Sequence, residues 1–103
     1  MAVEPRFDEL IHAPLRLRIC GLLRPVDEMD FSVLRDALGI SDASLSKHLK
    51  VLSEADYVAI SKRASDSRSD SRRLTWVKLT PAGRKAFDSH VEELRLIATG
   101  LAA

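Results

Sequence analysis

Apolar residues recur at helical spacing in four stretches of the chain and alternate in two, with polar and turn-forming residues between them. The first stretch, "FDELIHAPLRLRICGLL", starts an apolar face at Leu10 and Ile11 and resumes it at Leu15, Ile19, Leu22 and Leu23. Pro14 interrupts it, because proline has no amide hydrogen and disfavours helix in the residue before it. The pattern predicts a short helix, a kink at Ala13-Pro14, and a second helix ending near Arg24-Pro25. "MDF" at 29–31 is too short for an independent strand but long enough to pair with a hairpin elsewhere.

Two short helices follow. Ser32 is a plausible N-cap for the first, whose apolar face is Val33, Leu34, Ala37 and Leu38, and Gly39 ends it by adopting positive φ. The next is expected from about Asp42 to Ser53, capped by Ser41, with Leu45, Leu49 and Leu52 as a narrow buried stripe. Between those leucines it presents Ser44, Ser46, Lys47, His48 and Lys50. "YVAISK" and "RLTWVKL" then alternate as strands, with Val58 and Ile60 on one face. Their hairpin, about 58–79, carries the Ser-, Asp- and Arg-rich tip "ASDSRSDS". Thr80 and Pro81 open the last helix, 81–100, with good capping signals, and Val91, Leu94, Ile97 and Ala98 make it partly apolar.

The order helix, helix, helix, hairpin, helix gives a mainly α (α+β) domain over 1–103 with the outline of a winged helix-turn-helix. In that outline the first short helix braces across a DNA backbone and the second offers its polar face to a major groove. Ser41 to Ser44 lie where helix amides favour a phosphate or base acceptor. Lys47 and Lys50, one turn on, are within reach of base edges or phosphate. In the hairpin the candidates are Lys62, Arg63, Arg68, Arg72 and Arg73, of which Arg68 and then Arg72 are the first choices. Trp76 and Tyr57 are expected in the core.

Composition adds little against this and something for it. Net charge is only +1, yet residues 31–84 hold ten Lys/Arg against six Asp/Glu, a basic centre between acidic flanks. The single cysteine, Cys20, in apolar "LRICGLL", forms no internal disulfide and reads as a buried, inert thiol. No apolar run approaches the length of a bilayer span, and a cytoplasmic protein is expected. With no Gly-rich phosphate loop or nucleophile motif, neither an enzyme nor a cofactor is expected.

"HAPLRLRICGLL", "DFSVLRDALGISDASLSKHLKVLSEADYV" and "LTPAGRKAF" together resemble short bacterial winged-helix transcriptional regulators of the ArsR/MarR type, from about His12 to Leu96. The resemblance implies a homodimer, its terminal helices (8–24 and 81–100) forming the seam, that binds double-stranded DNA as a repressor or activator. It also implies groove-facing roles for Asp42, Ala43, Ser44, Ser46 and Lys47. Three departures bear on sequence preference: Asp42 stands where many relatives have glutamine, Asp56 where many have a helix-closing glycine, and the hairpin tip is long and Ser-rich. Asp88 and His90 resemble half of a zinc site some relatives build, but the second pair would fall at Leu101 and past Ala103, so no metal is expected. The effector is unknown from sequence, and a protein-interaction module on the same fold is the alternative reading.

Overall fold

The computed structural model describes residues 3–64 and 73–101. The elements run α1 (Glu9–His12), α2 (Pro14–Leu23), β1 (Met29–Asp30), α3 (Phe31–Leu38), α4 (Asp42–Glu54), β2 (Val58–Ala64), β3 (Arg73–Leu79) and α5 (Pro81–Ala98). The sheet is antiparallel in the order β1-β3-β2, so the "MD" pair does join the hairpin, Met29 opposite Val77 and Asp30 opposite Trp76. Within the hairpin the register runs from Val58 opposite Leu79 to Ala64 opposite Arg73.

One core fills the space between the helices and the root of the sheet: Ile11, Ile19, Cys20, Leu23, Leu34, Leu38, Leu45, Leu49, Leu52, Val58, Val77 and Leu79. Burial pushes the Cys20 thiol up to about 12, with Asp8 adding to the effect, so it stays protonated and unreactive. The chain break at Pro14 falls as expected, and it has a consequence. In an uninterrupted helix the Leu10 carbonyl would accept from residue 14, which here has no amide hydrogen. Arg16 fills the gap, its Nε donating to that carbonyl at 2.6 Å.

The helix ends follow local chemistry. α3 starts one residue before the expected cap: Asp30, not Ser32, is the N-cap, and its Oδ1 accepts from the Ser32 amide at 2.7 Å and hydroxyl at 2.6 Å. A carboxylate there complements the helix dipole, and Ser32 supplies it with both of these donors. Gly39 closes α3 at φ 67. α4 ends in the same way at Asp56, φ 63, with the Asp56 amide donating to Ser53 O at 2.9 Å and the Tyr57 amide to Leu52 O at 2.9 Å. A glycine is the usual residue for that geometry; this chain accepts an aspartate.

α5 begins at a tight joint. Thr80 caps it through Gly83 N, its hydroxyl also donates to Asp56 O at 2.6 Å, and its amide donates to Tyr57 O at 3.0 Å. Gly83 sits against that same Tyr57 carbonyl, so close that a Cβ would lie 2.0 Å from the oxygen. Arg84 then reaches the carbonyls of Arg24 and Val26 beyond the end of α2, at 3.1 and 3.0 Å, and Arg24 pairs with Asp88 at 2.8 Å. The helix buries Gly83, Ser89 and His90, while its apolar Val91 and Ile97 are 43% and 51% exposed. The most deeply buried positions of α5 are thus a glycine and two polar residues, with Ala86 and Phe87 packed on the core beside them.

His90 explains how such burial is tolerated. It is fully buried, its Nδ1 accepts the Asp8 amide at 2.9 Å, and its Nε2 lies 3.1 Å from His12 Nδ1. The amide fixes His90 Nδ1 as an acceptor, so Nε2 carries the proton and donates to His12. Phe7 packs on both rings at 4.8 Å, and Tyr57 donates to Asp8 Oδ2 at 2.6 Å. Burial first, and then the neighbouring His12 ring, holds His90 below its ordinary value, against the pull of Asp8. No buried side-chain polar atom among the described residues lacks a partner.

Candidate nucleic-acid interface

Leu45, Leu49 and Leu52 bury one side of α4 as their spacing requires, which turns its polar side outward. Ser41 is the N-cap, its hydroxyl accepting from Ser44 N at 3.1 Å. Ser41, Asp42, Ala43, Ser46, Lys47 and Lys50 are exposed, and Ser44 is half-buried. The helix therefore presents two lysines and three serines or alanines around its N-terminal turns, with amides of the first turn nearby.

Two arginines that periodicity does not single out hold this helix. Arg35, in the last turn of α3, donates Nη1 to Asp42 Oδ1 at 2.8 Å and Nε to Asp36 Oδ1 at 2.9 Å. Those hydrogen bonds, to Asp36 first and Asp42 second, raise its pKa above the usual arginine value. Arg16, fixed to the Leu10 carbonyl at the kink, places Nη1 3.4 Å from His48 Nδ1. Burial first, then Arg16 and Lys47, lowers the pKa of His48, which favours the neutral ring that can accept from Arg16. The sequence signal for Arg16 was the carbonyl that Pro14 must orphan. Arg35 gave none, because its partner is set by the α3–α4 turn.

Beside α4 stands the hairpin. Val58, Val77 and Leu79 anchor its root in the core, but the strands then leave the body. Ile60, on the same face as Val58, is 42% exposed for that reason. With Phe31 and Leu49 it floors a groove of about 440 Å³ between α4 and the sheet, edged by Ser46, Lys50 and Lys62. Arg63 stacks on Trp76, 4.8 Å from the ring centroid, and pairs with Glu28 Oε1 at 2.5 Å. Trp76 is thus half-buried under a cation rather than in the core cluster, while Tyr57 packs against that cluster as expected. Arg73 lies in β3 opposite Ala64; Arg68 and Arg72 fall outside the described residues.

The arrangement is two helices joined by a left-handed turn, the second with an exposed, partly cationic face, flanked by a projecting hairpin. Among the described residues no three or more His, Cys, Asp and Glu are grouped to hold a metal, and no helix is long and apolar enough to cross a membrane. Asp88 and His90, the half-site suggested by sequence, are occupied by Arg24 and by Asp8 and His12.

The winged helix DNA-binding domain family matches residues 15–98. An uncharacterized protein of Methanocaldococcus jannaschii is 30% identical over 86 residues, which cover 84% of this chain and 89% of that protein. A transcriptional regulator homologue from Pyrococcus horikoshii superposes with a TM-score of 0.82 at 25% identity, covering 93% of this chain and 91% of that one. A MarR-family regulator from Silicibacter pomeroyi shares the fold, with a TM-score of 0.64 at 23% identity, over 89% of this chain and 58% of that longer one. The resemblance read from "SLSKHLKVL" and "LTPAGR" holds in three dimensions: the chain belongs to the winged helix DNA-binding domain family, and its fold is that of MarR-type transcriptional regulators.

Proposed function

We propose that the chain is a homodimeric transcriptional regulator that binds double-stranded DNA, placing α4 in the major groove and the hairpin against the flanking backbone. The observation that carries this is the exposed face of α4, where Ser46, Lys47 and Lys50 stand clear of the leucine stripe beside a cationic hairpin. Ser41, Asp42, Ala43, Ser44, Ser46 and Lys47 make up the base-facing set. Lys50, Lys62 and the hairpin arginines 63, 68, 72 and 73 make up the phosphate-facing set. Arg63, already tied to Glu28 and Trp76, also stiffens the hairpin.

Support for the dimer comes from α5. Its C-terminal half leaves Val91, Ile97 and Ala98 exposed and Leu94 half-buried, an apolar surface that its own core does not cover. Pairing two such faces, together with the arm around Phe7, sets two copies of α4 about one helical turn of DNA apart. A two-fold seam then demands a pseudo-palindromic site, and occupation of such a site in a promoter represses it.

The test is fluorescence anisotropy with duplexes drawn from the promoter upstream of its own coding sequence and from unrelated DNA, each at two salt concentrations, with light scattering for mass. The expected result is a dimer with salt-sensitive binding that prefers the promoter. In Lys50→Ala the slope of log affinity against log salt should fall by about 1 per protomer. Salt-insensitive or absent binding to every duplex would instead favour a winged-helix protein-interaction module, a reading that the overall charge of +1 keeps open.

A further inference from the structure

Asp42 poses a physical problem for a groove-facing helix. It is the first residue of α4, its side chain is 69% exposed, and a carboxylate there is repelled by every phosphate near it. The base edges that would welcome it are those that donate, above all the cytosine N4 amino group. A carboxylate free to rotate would turn away from the duplex instead of reading it.

Arg35 removes that freedom. Its guanidinium, 31% exposed at the side chain, is itself fixed by Asp36 through Nε and grips Asp42 Oδ1 through Nη1. Gly39, in the left-handed region, makes the sharp turn that brings the last turn of α3 against the first residue of α4. One oxygen of Asp42 is thereby engaged, and the other has no hydrogen-bond partner among the described residues. The pair also offsets part of the acidic charge that would otherwise meet the backbone.

We propose that Asp42, held by Arg35, is a specificity-determining residue that accepts a hydrogen bond from a cytosine amino group, and that Arg35 is its positioning residue. This rests on the DNA-binding reading above. It goes further by assigning a base class to one residue and a role to another that lies on the preceding helix. Guanine and thymine, which present acceptors at the corresponding edge, are rejected by the fixed carboxylate.

The test is selection of binding sites by the full chain from a randomised duplex library, repeated with Asp42→Ala, Asp42→Asn, Arg35→Ala and Arg35→Lys. The wild type should enrich cytosine at one symmetry-related pair of positions, and substitution there should weaken binding by about tenfold or more. Asp42→Ala should lose the preference at those positions alone while keeping the rest of the site, and should bind unrelated DNA more tightly because a negative charge is gone. Asp42→Asn should broaden it towards bases that present an acceptor. Arg35→Ala should relax the same positions with an unchanged far-ultraviolet spectrum, and Arg35→Lys should restore part of the preference; a merely structural role would affect all positions together. An unaltered selected site in Asp42→Ala, with salt-sensitive binding intact, overturns this inference and leaves the DNA-binding reading standing. Absence of salt-sensitive binding by the wild type overturns both.

Discussion

Replacing Gly83 by alanine should damage this protein, although alanine is the better helix former. In an ordinary helix interior the exchange gains about 1 kcal/mol. Here the new Cβ would stand 2.0 Å from Tyr57 O and 2.8 Å from its carbonyl carbon, where real Cβ contacts essentially never fall below 3.0 Å. The neighbour is backbone and cannot rotate aside, so α5 must move away from the α4–β2 junction by about an ångström. Overpacking of that kind costs about 1–3 kcal/mol. The movement also stretches the Thr80 amide bond to Tyr57 O and the Thr80 hydroxyl bond to Asp56 O. Each is worth about 1 kcal/mol. Net of the propensity gain, a loss of about 2–4 kcal/mol follows, a large fraction of a small domain's stability. For a chain of this size that lowers Tm by roughly 10–25 °C.

The control is Gly21→Ala in α2. There the nearest heavy atom to a new Cβ, Phe87 Cζ, is 3.9 Å away, an ordinary contact. The same chemical change should therefore raise Tm by about 4 °C. Circular dichroism melts of the wild type and both variants at one fixed protein concentration decide the matter. If Gly83→Ala melts at or above the wild type, the close approach of α5 to Tyr57 is not a constraint and the account of this joint is wrong.

Other consequences follow from single residues. Asp56→Gly should stabilise by up to about 1 kcal/mol, since aspartate at φ 63 carries a steric cost that glycine avoids; an unchanged or lower midpoint in urea would contradict this. His90 is held below its ordinary value of 6.5, so the unfolded chain binds more protons than the folded one in the window beneath that value. Its contribution to stability is therefore fully present above that value and is lost as pH falls, and His48 adds a contribution of the same sign. Tm should drop between about pH 7.5 and about pH 5.5, and less steeply in His90→Gln; parallel curves for the two proteins would remove His90 as a cause.

The parts of the fold that periodicity and capping control were open to reading: the kink at Pro14, the leucine stripe of α4, the Thr80-Pro81 start of α5 and the pairing of "MD" with the hairpin. What escaped was set by partners distant in sequence. Asp30 displaced Ser32 as the cap because its carboxylate, two residues earlier, accepts from the Ser32 amide and so starts the helix at Phe31. Ile60 kept its place on the strand but lost its cover, since alternation assigns a face and says nothing about where the body ends. Trp76 looked like core until Glu28 placed Arg63 over its ring. Within the candidate interface, Lys47 and Lys50 were legible from exposure on an amphipathic helix, whereas Arg16 and Arg35 act across turns that no local pattern encodes.

α5 shows why reading apolarity alone would misorient this domain. Its apolar residues suggest a buried stripe, yet beside Ala86 and Phe87 its most deeply buried residues are Gly83, Ser89 and His90, accommodated by close backbone contact and by a hydrogen-bonded histidine pair. Polar groups make the internal joint directional: Arg84 binds the carbonyls beyond α2, Arg24 pairs with Asp88, and His90 accepts from the Asp8 amide. Apolar contacts would have allowed sliding, whereas these fix the register of α5 against α2. α2 in turn contacts α4 through Arg16 and His48. The orientation of the candidate recognition helix is thus tied to α5 by a chain of hydrogen bonds, while Val91 and Ile97 of α5 stay exposed, as the proposed homodimer requires.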